Sequence, residues 1–280
     1  MTSGIFISNK EYRSREGISK SSLELFKKSP LHYKYSIENP KEDTPSLLFG
    51  RAAHKYILEK ETFADEFAVA PKIDKRTGEG KMMWVEFMES VGTREIIDRD
   101  QMQQIIEMDK AIDSVPLARQ LLTGVHESSY FWEDVPTGEI CKCRPDCLTT
   151  YEGRPYIVDY KTCDSCADGM FERNVRKYNY KLQSAQYCEG LFNCELEEYG
   201  FAFVAQEKKP PYAVRVYICD PEFIREGQDE FRTLIGIYHD CKVNDNWYGY
   251  EGKFGTPVKL LADDNLYSSK NEDEGVESDD

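Results

Sequence analysis

An aspartate and a lysine two residues apart, Asp159-Tyr160-Lys161, follow directly on the apolar run Tyr156-Ile157-Val158. Side chains alternate faces along a strand, so Ile157, Asp159 and Lys161 share one face, and Tyr156, Val158 and Tyr160 take the other. A carboxylate and an ammonium are then about 6.6 Å apart along the strand and point the same way. Upstream lies Arg144-Pro145-Asp146, with Glu152-Gly153 between the two segments. A two-residue hairpin turn at Glu152-Gly153 brings Asp146 opposite Asp159, with Cβ atoms about 5 Å apart. Two carboxylates so placed repel each other unless a cation lies between them. Oxygen ligands suit Mg²⁺, with Mn²⁺ as a second choice. A lone D-x-K is commonplace on a solvated strand face. The opposed Asp146 and the apolar run before Asp159 mark this one as part of a buried strand.

A second hairpin extends the pattern. Residues 127–133 read as a strand, and Pro136-Thr137-Gly138 as a turn. Centring that turn between Pro136 and Thr137 pairs Glu127 with Asp146 and lines up three acids; a slip of one residue would flip Glu127 to the other face. After Lys161, a helix over about 180–192 puts Gln183 and Tyr187 on one face at i, i+4. Before the hairpins, a helix over 46–60 puts Gly50 and His54 on one face by the same spacing.

Taken together, Glu127-Ser128-Ser129, Trp132-Glu133, Cys143-Arg144-Pro145-Asp146, Asp159-Tyr160-Lys161-Thr162 and Gln183 with Tyr187 resemble the PD-(D/E)xK nuclease superfamily. More narrowly they are similar to RecE-type exonucleases (exodeoxyribonuclease VIII), related in core to phage lambda exonuclease. The likeness runs from about residue 18 to 250. It implies an α+β (mixed α/β) restriction-endonuclease-like fold, a central mixed β-sheet flanked by helices. It implies a site in which Asp146, Asp159 and the Tyr160 backbone carbonyl bind Mg²⁺. His54 joins them from the G-x-x-x-H motif, where Gly50 permits close backbone approach. Glu127, Lys161, Gln183 and Tyr187 complete the catalytic set. The activity implied is 5′ to 3′ digestion of linear double-stranded DNA ends, leaving 3′ single strands for an annealing protein in recombination, by a homo-oligomeric ring. Rival readings are an endonuclease or single-strand nuclease on the same core, and a non-catalytic binder of DNA or a recombination protein. Tyr160 stands where relatives often carry a small aliphatic residue, and its side chain faces away from the acids.

The 280 residues are enough for one large domain or two small ones, with 40% hydrophobic and 31% charged residues. The division expected is an N-terminal segment over 1–17, the exonuclease-like domain over 18–255 and an acidic, unstructured tail over 256–280. The tail's last eighteen residues, DDNLYSSKNEDEGVESDD, contribute much of the formal charge of −15. A net-acidic chain that binds DNA must do so through a local basic lining. The expected lining is Lys72, Lys75, Arg76 and Lys81 in a Gly-containing loop, and Arg173, Arg176, Lys177 and Lys181 interleaved with tyrosines. No apolar run reaches membrane-span length, and the N-terminus has no signal-peptide apolar region, so a cytoplasmic protein with no membrane partner is expected. Nine cysteines, an odd number, then read as reduced thiols. Cys163-x-x-Cys166 resembles half a metal site, but no second such pair follows.

The positioning elements read as follows. A helix covers 18–28, with Ser21-x-x-Glu24 as its capping box. A short helix begins near residue 31. Helices over 82–91, 101–112 and 117–122 serve as packing layers. Strands over 140–149, 155–161, 201–206 and 212–219 form the sheet. Asp220-Pro221-Glu222 starts a last long helix, with Asp220 as cap and Pro221 at its first position. His239 on that helix reads as a surface residue.

Overall fold

The computed structural model describes residues 4–40, 44–253 and 255. The tail expected over 256–280 lies outside them. The chain order is α1 (Asn9–Ser14), α2 (Lys20–Lys28), α3 (Pro30–Glu38), α4 (Pro45–Leu58), α5 (Phe63–Glu66), β1 (Phe67–Val69), α6 (Gly78–Val91), β2 (Glu95–Ile97), α7 (Arg99–Asp113) and α8 (Pro116–Leu121). Then come β3 (Val125–His126), β4 (Tyr130–Asp134), β5 (Glu139–Cys143), β6 (Cys147–Tyr151), β7 (Arg154–Cys163), α9 (Asp168–Lys177), α10 (Tyr180–Glu195), β8 (Gly200–Glu207), β9 (Val214–Ile218) and α11 (Pro221–Asn244).

A five-stranded mixed sheet, ordered β3-β6-β7-β8-β9, carries the fold. β7 is central, antiparallel to β6 and parallel to β8. Its alternation divides two cores. Ile157, with Phe201 and Phe203 of β8, faces α2, α10 and α11, including Leu23, Leu182 and Phe231. Val158 and Tyr160, with Ala202 and Val204, face α4, α7 and α8, including Ala53, Met108 and Leu121. This is the mixed sheet flanked by helices that the sequence implied.

Glu152 and Gly153 both have positive φ, 50° and 74°, the backbone of a two-residue hairpin turn. The β6–β7 register follows: Tyr151 opposes Arg154 and Cys147 opposes Val158. The next pair in that register is Asp146 and Asp159.

Several elements differ from expectation. The strand expected over 140–149 is two strands, β5 and β6, interrupted by Arg144-Pro145-Asp146. Pro145 has no N–H for a ladder. Of the strand expected over 127–133 only residues 130–133 are strand, within β4; Glu127-Ser128-Ser129 forms a break between it and the short β3, and Glu127 has φ 54°. Both breaks span three residues, so the register survives: His126 opposes Cys147 and Tyr130 opposes Cys143. The cap of α2 is Ser19 with Ser22, two residues ahead of the expected box, and Glu24 instead pairs with Lys20. Lys81 belongs to α6 and not to the loop before it. α6 is a poor packing layer, because Met82, Met83, Val85 and Met88 are exposed. The last helix starts as read, with Asp220 accepting from Phe223 N at 2.8 Å. His239 is half-buried and tied to the carboxylate of buried Glu139 at 2.9 Å, so it is not a free surface residue. Among the described residues no helix is long and apolar enough to cross a membrane.

Candidate active site and metal centre

α4 delivers His54 to the break between β5 and β6. Its Nε2 lies 2.8 Å from Asp146 Oδ2, and its Nδ1 lies 3.2 Å from Glu127 Oε1. One potential ligand atom from each of His54, Glu127 and Asp146 lies within 4.8 Å of the others, the one such group among the described residues. The same Asp146 oxygen accepts the Tyr160 backbone N–H at 2.8 Å. Interrupting the strand has turned Asp146 out of the ladder and given its carboxylate the backbone donor of the next strand.

Glu127 is also held from behind. Arg144 Nε lies 2.6 Å from Glu127 Oε2 and 3.2 Å from the Glu127 carbonyl oxygen. The interruption in β3–β4 thus turns Glu127 toward His54, and the interruption in β5–β6 supplies both its clamp and its neighbouring acid. Glu127, which the motifs assigned to the catalytic set, therefore lies within the candidate ligand group.

Asp159 stands outside that trio and looks to the α10 side. Lys161 Nζ is 2.5 Å from its Oδ2, and the Gln183 side-chain amide donates to its Oδ1. Asp159 is 1% exposed, so the Lys161 ammonium on its Oδ2 is the cation that answers its charge. Tyr187, one turn beyond Gln183, is within the electrostatic reach of both Asp159 and Asp146, and burial holds its phenol well above the ordinary range.

The charges answer one another. Burial pushes the Asp159 carboxyl up, and the nearby Asp146 pushes it further, against the pull of Lys161; the result is about 6. Burial opposes ionisation of Asp146 as well, but the His54 imidazole outweighs it and holds that carboxyl below its ordinary value. Burial would lower His54. The Asp146 and Glu127 carboxylates outweigh it and hold the imidazole well above 6.5. Lys161 is raised by Asp159 and Asp146 in spite of burial and stays charged.

This donor set fits a divalent cation. An imidazole nitrogen and two carboxylate oxygens converge, a further buried carboxylate stands beside them, and the imidazole lies between the two carboxylates where a cation would answer both.

Comparison with known proteins places the chain in a family. Residues 19–255 match the family described as "PDDEXK-like domain of unknown function (DUF3799)". The chain belongs to that family. A solved structure, the "Putative exonuclease" of Eubacterium rectale, is 17% identical, with 93% of this chain and 97% of that chain covered and a TM-score of 0.63. That likeness speaks to the fold. Another, "SSO0001", is 14% identical over 85% of this chain and 96% of that chain, and its TM-score of 0.27 carries no weight. No curated protein matches the sequence. The PD-(D/E)xK assignment made from the motifs therefore stands.

Other expected residues are placed differently from one another. Tyr160 packs away from the acids, its ring 5.8 Å from that of His54 and its hydroxyl donating to Gln206 Oε1 at 2.5 Å. A Cβ on Gly50 would meet nothing within 4 Å, so no protein atom approaches closely there. The basic residues are partly committed: Arg76 to Asp74, Lys75 over the Trp84 ring at 3.0 Å, Lys177 over Tyr178, and Lys181 to Glu226. Arg173 Nη1 contacts Met170 Sδ at 3.6 Å. Lys72, Lys81 and Arg176 are exposed. Cys163 and Cys166 are buried free thiols donating to backbone oxygens of Gln206 and Ala213.

Two site neighbours escaped the sequence reading. Lys20 donates to the Tyr178 carbonyl at 2.6 Å and lies 5.8 Å from the Tyr180 ring, which also has Lys161 at 5.1 Å. Tyr12 comes from the segment assigned no role. Neither carries a spacing signal, because each arrives from far along the chain.

Proposed function

We propose that the protein is a metal-dependent DNA exonuclease of RecE type. On this reading it digests linear duplex ends 5′ to 3′ and leaves 3′ single strands for annealing in recombination. The carrying observation is the convergence of His54, Glu127 and Asp146 beside the Asp159–Lys161 pair. His54, Glu127, Asp146 and Asp159 would hold Mg²⁺, with Mn²⁺ as a substitute, and the Tyr160 carbonyl beside them. When bound, the ion supplies charge stabilisation at the phosphate and lowers the pKa of an attacking water.

The chain's own residues do the rest. Lys161, kept charged by the two aspartates, neutralises the phosphate or orients the water. Gln183 fixes the rotamer of Asp159 by its amide. Tyr187 closes the α10 side. Lys72, Lys75, Arg76, Lys81, Arg173, Arg176, Lys177 and Lys181 supply phosphate-backbone affinity, those held in ion pairs exchanging carboxylate for phosphate. Double-stranded DNA ends are the substrate, a single-strand annealing protein is the partner, a homo-oligomeric ring is the assembly, and the cytoplasm is the compartment.

The test is digestion of end-labelled linear duplexes carrying a 5′ phosphate or 5′ hydroxyl, with and without Mg²⁺, beside a closed circular plasmid. Mg²⁺-dependent release from 5′ ends, with circles left closed, is expected. Nicked circles would replace this reading by an endonuclease. Full activity in Asp159→Ala would overturn the site.

A further inference from the structure

The segment before α2, most of it ahead of the residues that match the family, is fastened across the β4–β5 hairpin. At one end Ile5 and Ser129 exchange backbone hydrogen bonds at 2.9 Å each. At the other, Ile18 N donates to the Ile140 carbonyl at 2.8 Å, and Lys142 N donates to the Ile18 carbonyl at 3.0 Å. α1 lies between these ties. Lys142, a buried lysine, donates from Nζ to the carbonyls of Tyr12 at 3.0 Å and Arg15 at 2.5 Å. Gly17, with φ +142°, lets its stem pass, since a Cβ there would meet the Lys142 side chain at 3.1 Å.

The fastening puts one side chain at the site. The Tyr12 ring centroid is 5.9 Å from the Arg144 guanidinium carbon, 5.0 Å from Lys142 Nζ and 5.9 Å from the Phe131 ring. Arg144 in turn grips Glu127 by its carboxylate and its carbonyl, and Glu127 sits in a left-handed backbone conformation that few non-glycine residues adopt. Arg144 Nη1 is buried without a hydrogen-bond partner, Nε makes the contacts to Glu127, and the Tyr12 ring lies beside the guanidinium. Burial, then Cys143, keep the Tyr12 phenol neutral, so the ring acts as a face and not as an anion.

We infer that Tyr12 is a positioning residue: its ring seats Arg144, Arg144 holds Glu127, and Glu127 is thereby aimed at His54 and the metal centre. This rests on the metal-centre reading, and it makes the N-terminal segment part of the site. The ring, not the hydroxyl, carries the effect.

Mn²⁺ affinity of the full chain, by calorimetry without DNA, and amide exchange over residues 125–129 in EDTA test it together. Tyr12→Ala and Arg144→Gln should weaken Mn²⁺ binding about 10-fold, the range seen when groups behind metal ligands are lost. Exchange at the Glu127 break should quicken by 5-fold or more. Tyr12→Phe should match the parent in both, and exchange in β7 should be unchanged throughout, which excludes general unfolding. Parent-like behaviour of Tyr12→Ala, or a Tyr12→Phe as impaired as Tyr12→Ala, overturns the inference. If the parent binds no Mn²⁺, the nuclease reading falls, and the exchange data alone decide the positioning role.

Discussion

His54 Nε2 and Asp146 Oδ2 are 2.8 Å apart, and the other nitrogen of the same ring faces Glu127 at 3.2 Å. The imidazole spans two carboxylates, which favour its protonated form, so one positive charge would answer two negative ones where a divalent ion would answer both. Metal and proton therefore compete for the site.

That competition sets a pH dependence. His54 has a folded value raised above 6.5, so its contribution to stability is full below 6.5 and is lost as pH rises through the folded value. Asp159, raised to about 6 by burial and by Asp146, favours the folded state in its protonated form, so its ionisation also costs stability as pH rises through about 6. Without metal, the melting temperature should fall between pH 5.5 and 8, with a slope of at most ~1.4 kcal/mol per pH unit for each proton. Mn²⁺ binding should release protons at pH 6 and tighten as pH rises. Melting curves in EDTA and calorimetry in two buffers of different ionisation enthalpy check this. A flat profile, or no change of slope in His54→Gln, contradicts it.

Lys161→Met should abolish nuclease activity and also lower stability by about 3 kcal/mol. The loss leaves Asp159 buried without its charge partner 2.5 Å away. Urea denaturation together with the end-labelled assay checks both halves. Stability equal to the parent's would mean that Asp159 is already neutral in the folded state.

Tyr160→Phe separates stability from activity. The hydroxyl is buried and donates to Gln206 Oε1, while the Gln206 amide donates to the Met108 carbonyl at 2.8 Å. Removing the donor should cost about 1–2 kcal/mol for an unsatisfied buried oxygen. Activity should stay within a few-fold, because only the backbone N–H of Tyr160 serves Asp146. A loss of activity beyond 10-fold with little loss of stability would place the ring in the chemistry.

Gly227→Ala should destabilise although alanine is the better helix former. A Cβ there would lie 2.1 Å from the Lys181 carbonyl and 2.9 Å from the Ala185 Cβ. α11 must retreat from α10, which carries Gln183 and Tyr187. A cost of about 2 kcal/mol, net of the gain in helix propensity, and a fall in kcat are expected. A stabilised variant would show that the two helices separate freely.

The sequence by itself determined the central hairpin and its register. Turn chemistry at Glu152-Gly153 and the alternation from Tyr156 to Lys161 are local, and local rules fixed which residues of β7 face each core. The equal three-residue breaks at Glu127-Ser128-Ser129 and Arg144-Pro145-Asp146 explain why the outer register also survived, although each was read as continuous strand. Only the tertiary structure decided which acids meet. Whether Glu127 or Asp159 joins His54 depends on how α4 packs over Tyr160 and on a left-handed backbone at Glu127 that no propensity predicts. Tyr12 and Lys20 reach the site across more than a hundred residues of chain, and such long-range placement is set by packing and not by spacing. The exposure of α6 was hidden for the same reason: its apolar pattern promises burial, but burial requires a partner, and a helix sequence does not contain one.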